Sequence, residues 1–222
     1  ARGDGSSLGN VKFGSNTSAY YQNEIEIPFF MHHLEGKANV DDLAEATIFF
    51  TGENKWRNFT QWPAANVQNT AMYMQENGKL NWNKSATAKS FSEYVSDPSK
   101  PVPYTEDVHF NRTVAYMTDD QRFASRRPDV LTFTSGVLDA DVTLAGSLVA
   151  DLMVSISSTD ADFVVKLIDV FPDDFAYDTV LFPSPWGKDR MGPPMGGYQM
   201  LVRGEIMRGK FRNSFEKPEP FV

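Results

Sequence analysis

The hydrophobic period of the chain changes once, and the change divides it. Residues 1–14 are rich in Gly, Ser and Asn and show no periodicity, which reads as a loop. Over roughly 17–35, Tyr20, Ile27, Met31 and Leu34 then fall near one face at helical spacing. Asn16, Thr17 or Ser18 is placed to cap that segment and Gly36 to end it. One amphipathic helix is predicted, its apolar stripe packed on something apolar.

From Ala46 onward the period falls to two. Short β-rich runs follow at Ala46–Thr51, Ala71–Gln75, Leu80–Trp82, Ser90–Val95, Val130–Thr134, Asp141–Leu144, Leu148–Ser155, Phe163–Val170 and Tyr198–Met207. This is all-β spacing. Asn77-Gly78 predicts a hairpin, because a type I′ turn needs positive φ at both central residues. Leu152, Val154 and Ile156 share one face of their run, leaving Met153 and Ser155 on the other. Many strands and few helices imply two packed sheets, and a jelly-roll β-sandwich is the expected architecture. Residues 96–129, with Pro98, Pro101, Pro103 and Pro128, read as a long connection. So do residues 172–197, with Pro172, Pro183, Pro185, Pro193 and Pro194.

Composition narrows the function more than the fold. At 222 residues and 41% hydrophobic, the chain can form one large domain, or one domain and part of another. Its longest apolar runs fall far short of the roughly 20 residues that span a bilayer, and residues 1–20 show no signal-peptide pattern. The absence of cysteine excludes disulfides, thiolate metal sites and a cysteine nucleophile. It fits a bacterial cytoplasm or periplasm equally well; a bacterial periplasmic or secreted setting is nonetheless the expectation. A net charge of −8 with scattered basic residues disfavours nucleic acid and suits a neutral or cationic small substrate.

Several residues invite a chemical reading. Gly5-Ser6-Ser7-Leu8-Gly9 matches the G-x-S-x-G pattern of a nucleophile elbow, which needs a strand running in and a helix leaving. Neither flank fits, so Ser7 is not read as a nucleophile. His32-His33 lies near the helix end, where neighbours project about 100° apart and cannot chelate one metal from one face. Cationic histidine is favoured there by the helix dipole. His109 sits in a connection without a patterned partner. Asp160, Asp162, Asp169, Asp173 and Asp174 bracket one strand and could meet around Ca²⁺, although turn-forming Asp explains them better. Trp56, Phe59 and Trp62 could form a sugar platform, with Trp82 a further ring, but burial of these aromatics is the stronger expectation. Read this way, the chain holds no catalytic residue and no metal or cofactor site.

The stretches Tyr94–Pro103, Asp119-Asp120-Gln121-Arg122 and Arg127–Phe133 resemble a hydrolase family. It comprises cocaine esterase, α-amino-acid ester hydrolases, glutaryl cephalosporin acylases and Xaa-Pro dipeptidyl-peptidases, the CocE/NonD-type serine hydrolases. Gly146–Ser155 and Thr159–Asp173 continue the match. Gly52–Trp56 and Arg208–Phe215 are most similar to the α-amino-acid ester hydrolase branch.

The resemblance implies a parent with an α/β-hydrolase domain, a helical cap and a C-terminal jelly roll of galactose-binding-like type. Residues 1–45 would be the last loop and helix of the hydrolase domain, and 46–222 an incomplete jelly roll. The Ser-His-Asp triad would lie upstream of Ala1, the loop 1–13 following its histidine. The chain is thus expected to be a C-terminal fragment, inactive alone, of an enzyme cleaving small esters or amides. No nucleic-acid or membrane partner is expected, and a homo-oligomer is compatible. The alternative is a non-catalytic β-sandwich module that binds carbohydrate.

Overall fold

Asn16 starts the helix: its side-chain oxygen accepts from the Ala19 amide at 2.9 Å, satisfying one of the otherwise orphaned first-turn donors. In this computed structural model, which describes residues 3–37, 43–87, 90–111, 113–176 and 194–221, the helical course has three parts. They are α1 (Thr17–Tyr20), a π-turn (Tyr21–Glu26) and α2 (Ile27–Glu35), closed by Gly36 at φ 62°. Start and stop match the sequence reading. The π-turn has its cause in Pro28, which offers no N–H to the Glu24 carbonyl and crowds it. The preceding turn widens, and the Ile27 amide donates to the Gln22 carbonyl. Pro183, Pro185 and Pro193 of the second predicted connection lie outside the described residues.

Contacts group the chain into two units, Ala1–Val102 with Ser125–Ser147, and Pro103–Ala124 with Leu148–Val222. In the first unit, residues 3–14 are not simply a loop. They form a minimal hairpin, β1 (Ser7–Leu8) against β2 (Val11–Lys12). Gly5, at φ 73°, lets the preceding backbone fold onto the helix start. There the Thr17 hydroxyl donates to the Gly5 carbonyl at 2.6 Å and the Ser18 amide to the Asp4 carbonyl at 3.1 Å. A Cβ at position 5 would meet Thr17 Oγ1 at 2.5 Å, so no larger residue fits without a shift.

The predicted strand at Ala46 forms β3 (Ala46–Phe50) and pairs antiparallel with β4 (Lys55–Phe59), which the sequence pattern does not announce. Phe49 and Trp56 are cross-strand partners on one face. Trp56 stacks on Tyr20 at 4.6 Å and Phe49 meets Phe13 at 5.5 Å, which ties the hairpin to α1 and to the segment after β2. The expected burial of the helix stripe is corrected: Ile27 is 52% and Leu34 77% exposed. The helix is anchored through Tyr20, and the principal neighbour of α2 is the π-turn.

The predicted Asn77-Gly78 hairpin forms, with β5 (Tyr73–Gln75) against β6 (Lys79–Asn81) and both turn residues at positive φ, 60° and 68°. Thr134 lies alongside. It accepts from the Leu80 amide and donates to the Gly78 carbonyl, both at 2.8 Å.

In the second unit, β7 (Asp162–Val170) and β8 (Gln199–Arg208) run antiparallel. Leu167 faces Arg203 and Ile168 faces Leu201, so Val202 is the extra residue of a bulge. Met195, Tyr198, Leu201, Ala124 and Gln121 are the buried centre. Beyond β8 the chain turns at Gly209–Phe211 and returns, the Phe221 amide donating to the Thr159 carbonyl at 2.7 Å.

The runs Ser90–Val95, Asp141–Leu144 and Leu148–Ser155 are not paired strands among the described residues, and of Val130–Thr134 only Thr134 forms a bridge. Alternation sets which side a residue takes, whereas a strand also needs a neighbour's N–H and C=O groups. No described residue supplies them to the first three runs, and only Thr134 of the fourth receives them. The described strands therefore form four two-stranded antiparallel pairs, accompanied by one N-terminal helix.

Candidate functional site

Ser7 is exposed within β1 and opposite Lys12. Its strand turns back as a hairpin rather than entering a helix, so the elbow geometry is absent. The adjacent Ser6 is the residue fixed in place, its amide and hydroxyl donating to the Asp4 carboxylate at 2.9 and 2.7 Å. Those donors hold the Asp4 carboxyl below its ordinary range.

The rings of His32 and His33 meet edge to face with centroids 4.9 Å apart, and His33 lies 4.4 Å from Phe29. Among the described residues no group of three or more His, Asp or Glu side chains is placed to hold a metal ion. The five aspartates do not converge. Asp160 and Asp162 stand at one end of β7, and Asp173 and Asp174 lie beyond its other end, roughly 27 Å away at strand rise. Each of the first pair has a cation. Arg208 binds Asp162 at 2.9 Å and holds its carboxyl low, while the Lys210 amide donates to Asp160 at 2.9 Å and its ammonium lies 3.7 Å off.

The aromatic residues do not form a platform. Trp56 is enclosed by Tyr20 and Phe49, while Phe59 meets Trp62 at 5.4 Å. Register puts Trp56 and Phe59 on opposite faces of the β3–β4 hairpin. Trp82 follows a different hairpin, β5–β6. The expected burial is corrected for two of the three tryptophans: Trp62 and Trp82, which lie beyond the last residues of β4 and β6, are 39% and 42% exposed.

The motifs carrying the family resemblance prove to be polar knots. In the first unit, Asp97 closes its own turn by accepting from the Ser99 amide and hydroxyl at 2.9 and 2.7 Å. Arg127 grips Asp129 through two nitrogens, at 2.8 and 2.6 Å, and also donates to the Lys100 carbonyl at 3.2 Å. Two stretches far apart in sequence are thereby joined. The guanidinium holds the Asp129 carboxyl below its ordinary range.

In the second unit, Asp120 accepts from Arg122 Nε at 2.6 Å and from the Gln199 amide at 3.3 Å, binding the Asp119–Arg122 motif to β8. Gln121, 1% exposed, receives the Lys166 ammonium of β7 on its Oε1 at 2.6 Å. His109 lies exposed in the connection, and the charge it presents to Asp119 lowers that carboxyl's pKa. Burial outweighs that charge and raises the Asp119 carboxyl.

Burial lowers the Lys166 pKa, with the Asp119 charge opposing. The folded chain therefore releases this proton before the unfolded chain does. The proton-linked part of the stability should rise with pH from the folded pKa toward the ordinary value of about 10.4, and fall back as pH drops through the folded pKa, while the contacts of the ammonium persist below it. Chemical denaturation of the wild type and Lys166→Met across that window checks it: the difference in midpoint should grow with pH, and a flat or falling difference would refute it.

These charged side chains close turns and strand ends. The comparisons with known proteins give the family. The family profile of the X-Pro dipeptidyl-peptidase C-terminal non-catalytic domain matches residues 38–222. The chain belongs to this family, the C-terminal domain of CocE/NonD hydrolases. Cocaine esterase from Rhodococcus sp. (strain MB1 Bresler) is 32% identical over 154 residues, 65% of this chain and 27% of the esterase. A solved aminopeptidase from a marine sediment Thaumarchaeota archaeon superposes with TM-score 0.84 at 34% identity, over 99% of this chain and 34% of that one. A solved α-amino acid ester hydrolase gives TM-score 0.79 at 33% identity, over 99% of this chain and 35% of that one. The chain thus spans between about a quarter and a third of the length of these relatives.

The sequence reading missed β4 and the Lys166–Gln121 contact. One signal for the second was present: Lys166 interrupts the apolar run Phe163–Ile168, and a lysine in such a run needs a partner or a route to water. Nothing comparable marked Gln121.

Proposed function

We propose that this chain is the C-terminal part of a serine hydrolase that forms an acyl-enzyme and cleaves esters or amides of α-amino acids or related acyl groups. The observation that carries the reading is the likeness to an ester hydrolase and an aminopeptidase over 99% of the chain, at identities above 30%. In this reading residues 1–45 finish an α/β-hydrolase domain, and 46–222 build a jelly roll that buttresses it and borders the mouth of the active site. The triad lies in the remainder of the enzyme, where histidine activates the serine and fixed donors hold the oxyanion. The exposed stripe of Ile27 and Leu34 supports the assignment of the helix, since a large hydrolase domain would cover it. The run Leu148–Ser155, unpaired among the described residues, is consistent with a sheet that has further strands.

The test compares full-length protein with the isolated 222-residue chain on p-nitrophenyl esters of α-amino acids. Burst kinetics from the full-length protein and none above background from the isolated chain are expected. Turnover by the isolated chain would overturn the reading.

A further inference from the structure

The Lys166 ammonium meets more than the Gln121 side chain. It lies 3.4 Å from the Tyr104 carbonyl, 4.9 Å from the centre of the Tyr104 ring and 5.7 Å from that of Phe123. Tyr104 in turn contacts Tyr116 at 5.6 Å between ring centroids. A single cation on β7 thus holds two stretches of the preceding connection, one at Tyr104 and one from Tyr116 to Phe123.

Gln121 is built to receive it. Its backbone amide donates to the Gln199 carbonyl at 2.9 Å and its side-chain amide to the Asp119 carbonyl at 2.9 Å, so Oε1 is presented in one direction. The Lys166 ammonium, entering from β7, completes the set at 2.6 Å. If the ammonium is removed, that oxygen stays buried without a donor and the two rings lose the charge they face, two losses on the same segment.

We propose that Lys166 is a positioning residue, a pin that fixes the connection between Tyr104 and Phe123 onto the β7–β8 pair. The pin governs local opening of that segment rather than folding of the pair. The pair has its own nine-position register and its own closing ion pair, Asp162–Arg208, neither of which uses the lysine head group. Opening of the connection therefore needs no separation of β7 from β8.

Hydrogen exchange in the full-length protein tests this. The reporters are the amides of Asp119 and Gln121, which donate to Tyr116 and Gln199, set against the amides paired between β7 and β8. In Lys166→Met the two reporters should exchange at least about tenfold faster while the strand amides change by less than about threefold. Lys166→Arg, which keeps a cation and its donors, should stay within about threefold of wild type at the reporters. Unchanged reporters in Lys166→Met, or equal acceleration of reporters and strand amides, would overturn the proposal. Should Lys166→Met fail to fold, Gln121→Met removes the acceptor instead and must give the same selective acceleration.

Discussion

Gly209→Ala should lower stability by about 2–3 kcal/mol, a large loss for one methyl group. Gly209 is buried at the end of β8, and a Cβ there would run into the Phe221 ring. It would also stand 3.1 Å from both the Ala161 carbonyl and the Phe163 ring. The first of these neighbours is backbone, already fixed because the Gly209 amide donates to that carbonyl at 2.8 Å. The two rings pack together at 6.4 Å, and the Arg212 guanidinium covers Phe221 at 4.3 Å. With so little freedom to yield, the methyl should expel the returning segment that ends at Phe221. Urea denaturation gives the energy, and exchange of the Phe221 amide, bound to Thr159, locates it. A midpoint equal to wild type would show that the ring moves aside at little cost.

Trp56→Ala should cost about 3 kcal/mol, the range for removing a large aromatic side chain that packs against its neighbours. The indole holds Tyr20 of α1 and Phe49 of β3 together, so its loss frees the helix start from the hairpin. Trp56→Phe should behave differently and remain within about 1 kcal/mol of wild type. The indole N–H is buried with no acceptor among the described residues, so phenylalanine sheds an unsatisfied donor while keeping most of the ring contact. Denaturation of both variants separates the two effects. Equal losses would mean that a phenyl ring does not replace the contacts of the indole, and would contradict the expectation.

The elements legible in the sequence were those whose signal is local. Asn16 and Gly36 bounded the helix through cap chemistry, and Asn77-Gly78 set its hairpin through φ preference alone. What depended on distant partners was not legible. Lys55–Phe59 carries three charged or polar residues, Lys55, Arg57 and Asn58, and becomes a strand because β3 lies beside it. Conversely Leu148–Ser155 alternates well and stays unpaired among the described residues. The π-turn before Pro28 was readable in principle from proline's missing N–H. Functional sites followed the same division. Ser7 could be rejected from its flanks, whereas the pairing of Lys166 with Gln121, 45 residues apart, needed the fold.

The motif that first suggests a nucleophile also offers the sharpest test of where catalysis resides. A fluorophosphonate probe labels an activated serine, and peptide mapping of the labelled full-length protein identifies which one. A single modified serine outside residues 1–222 is expected, with Ser7 unmodified. Labelling of Ser7, lost together with the kinetic burst in Ser7→Ala, would contradict a non-catalytic role for this domain.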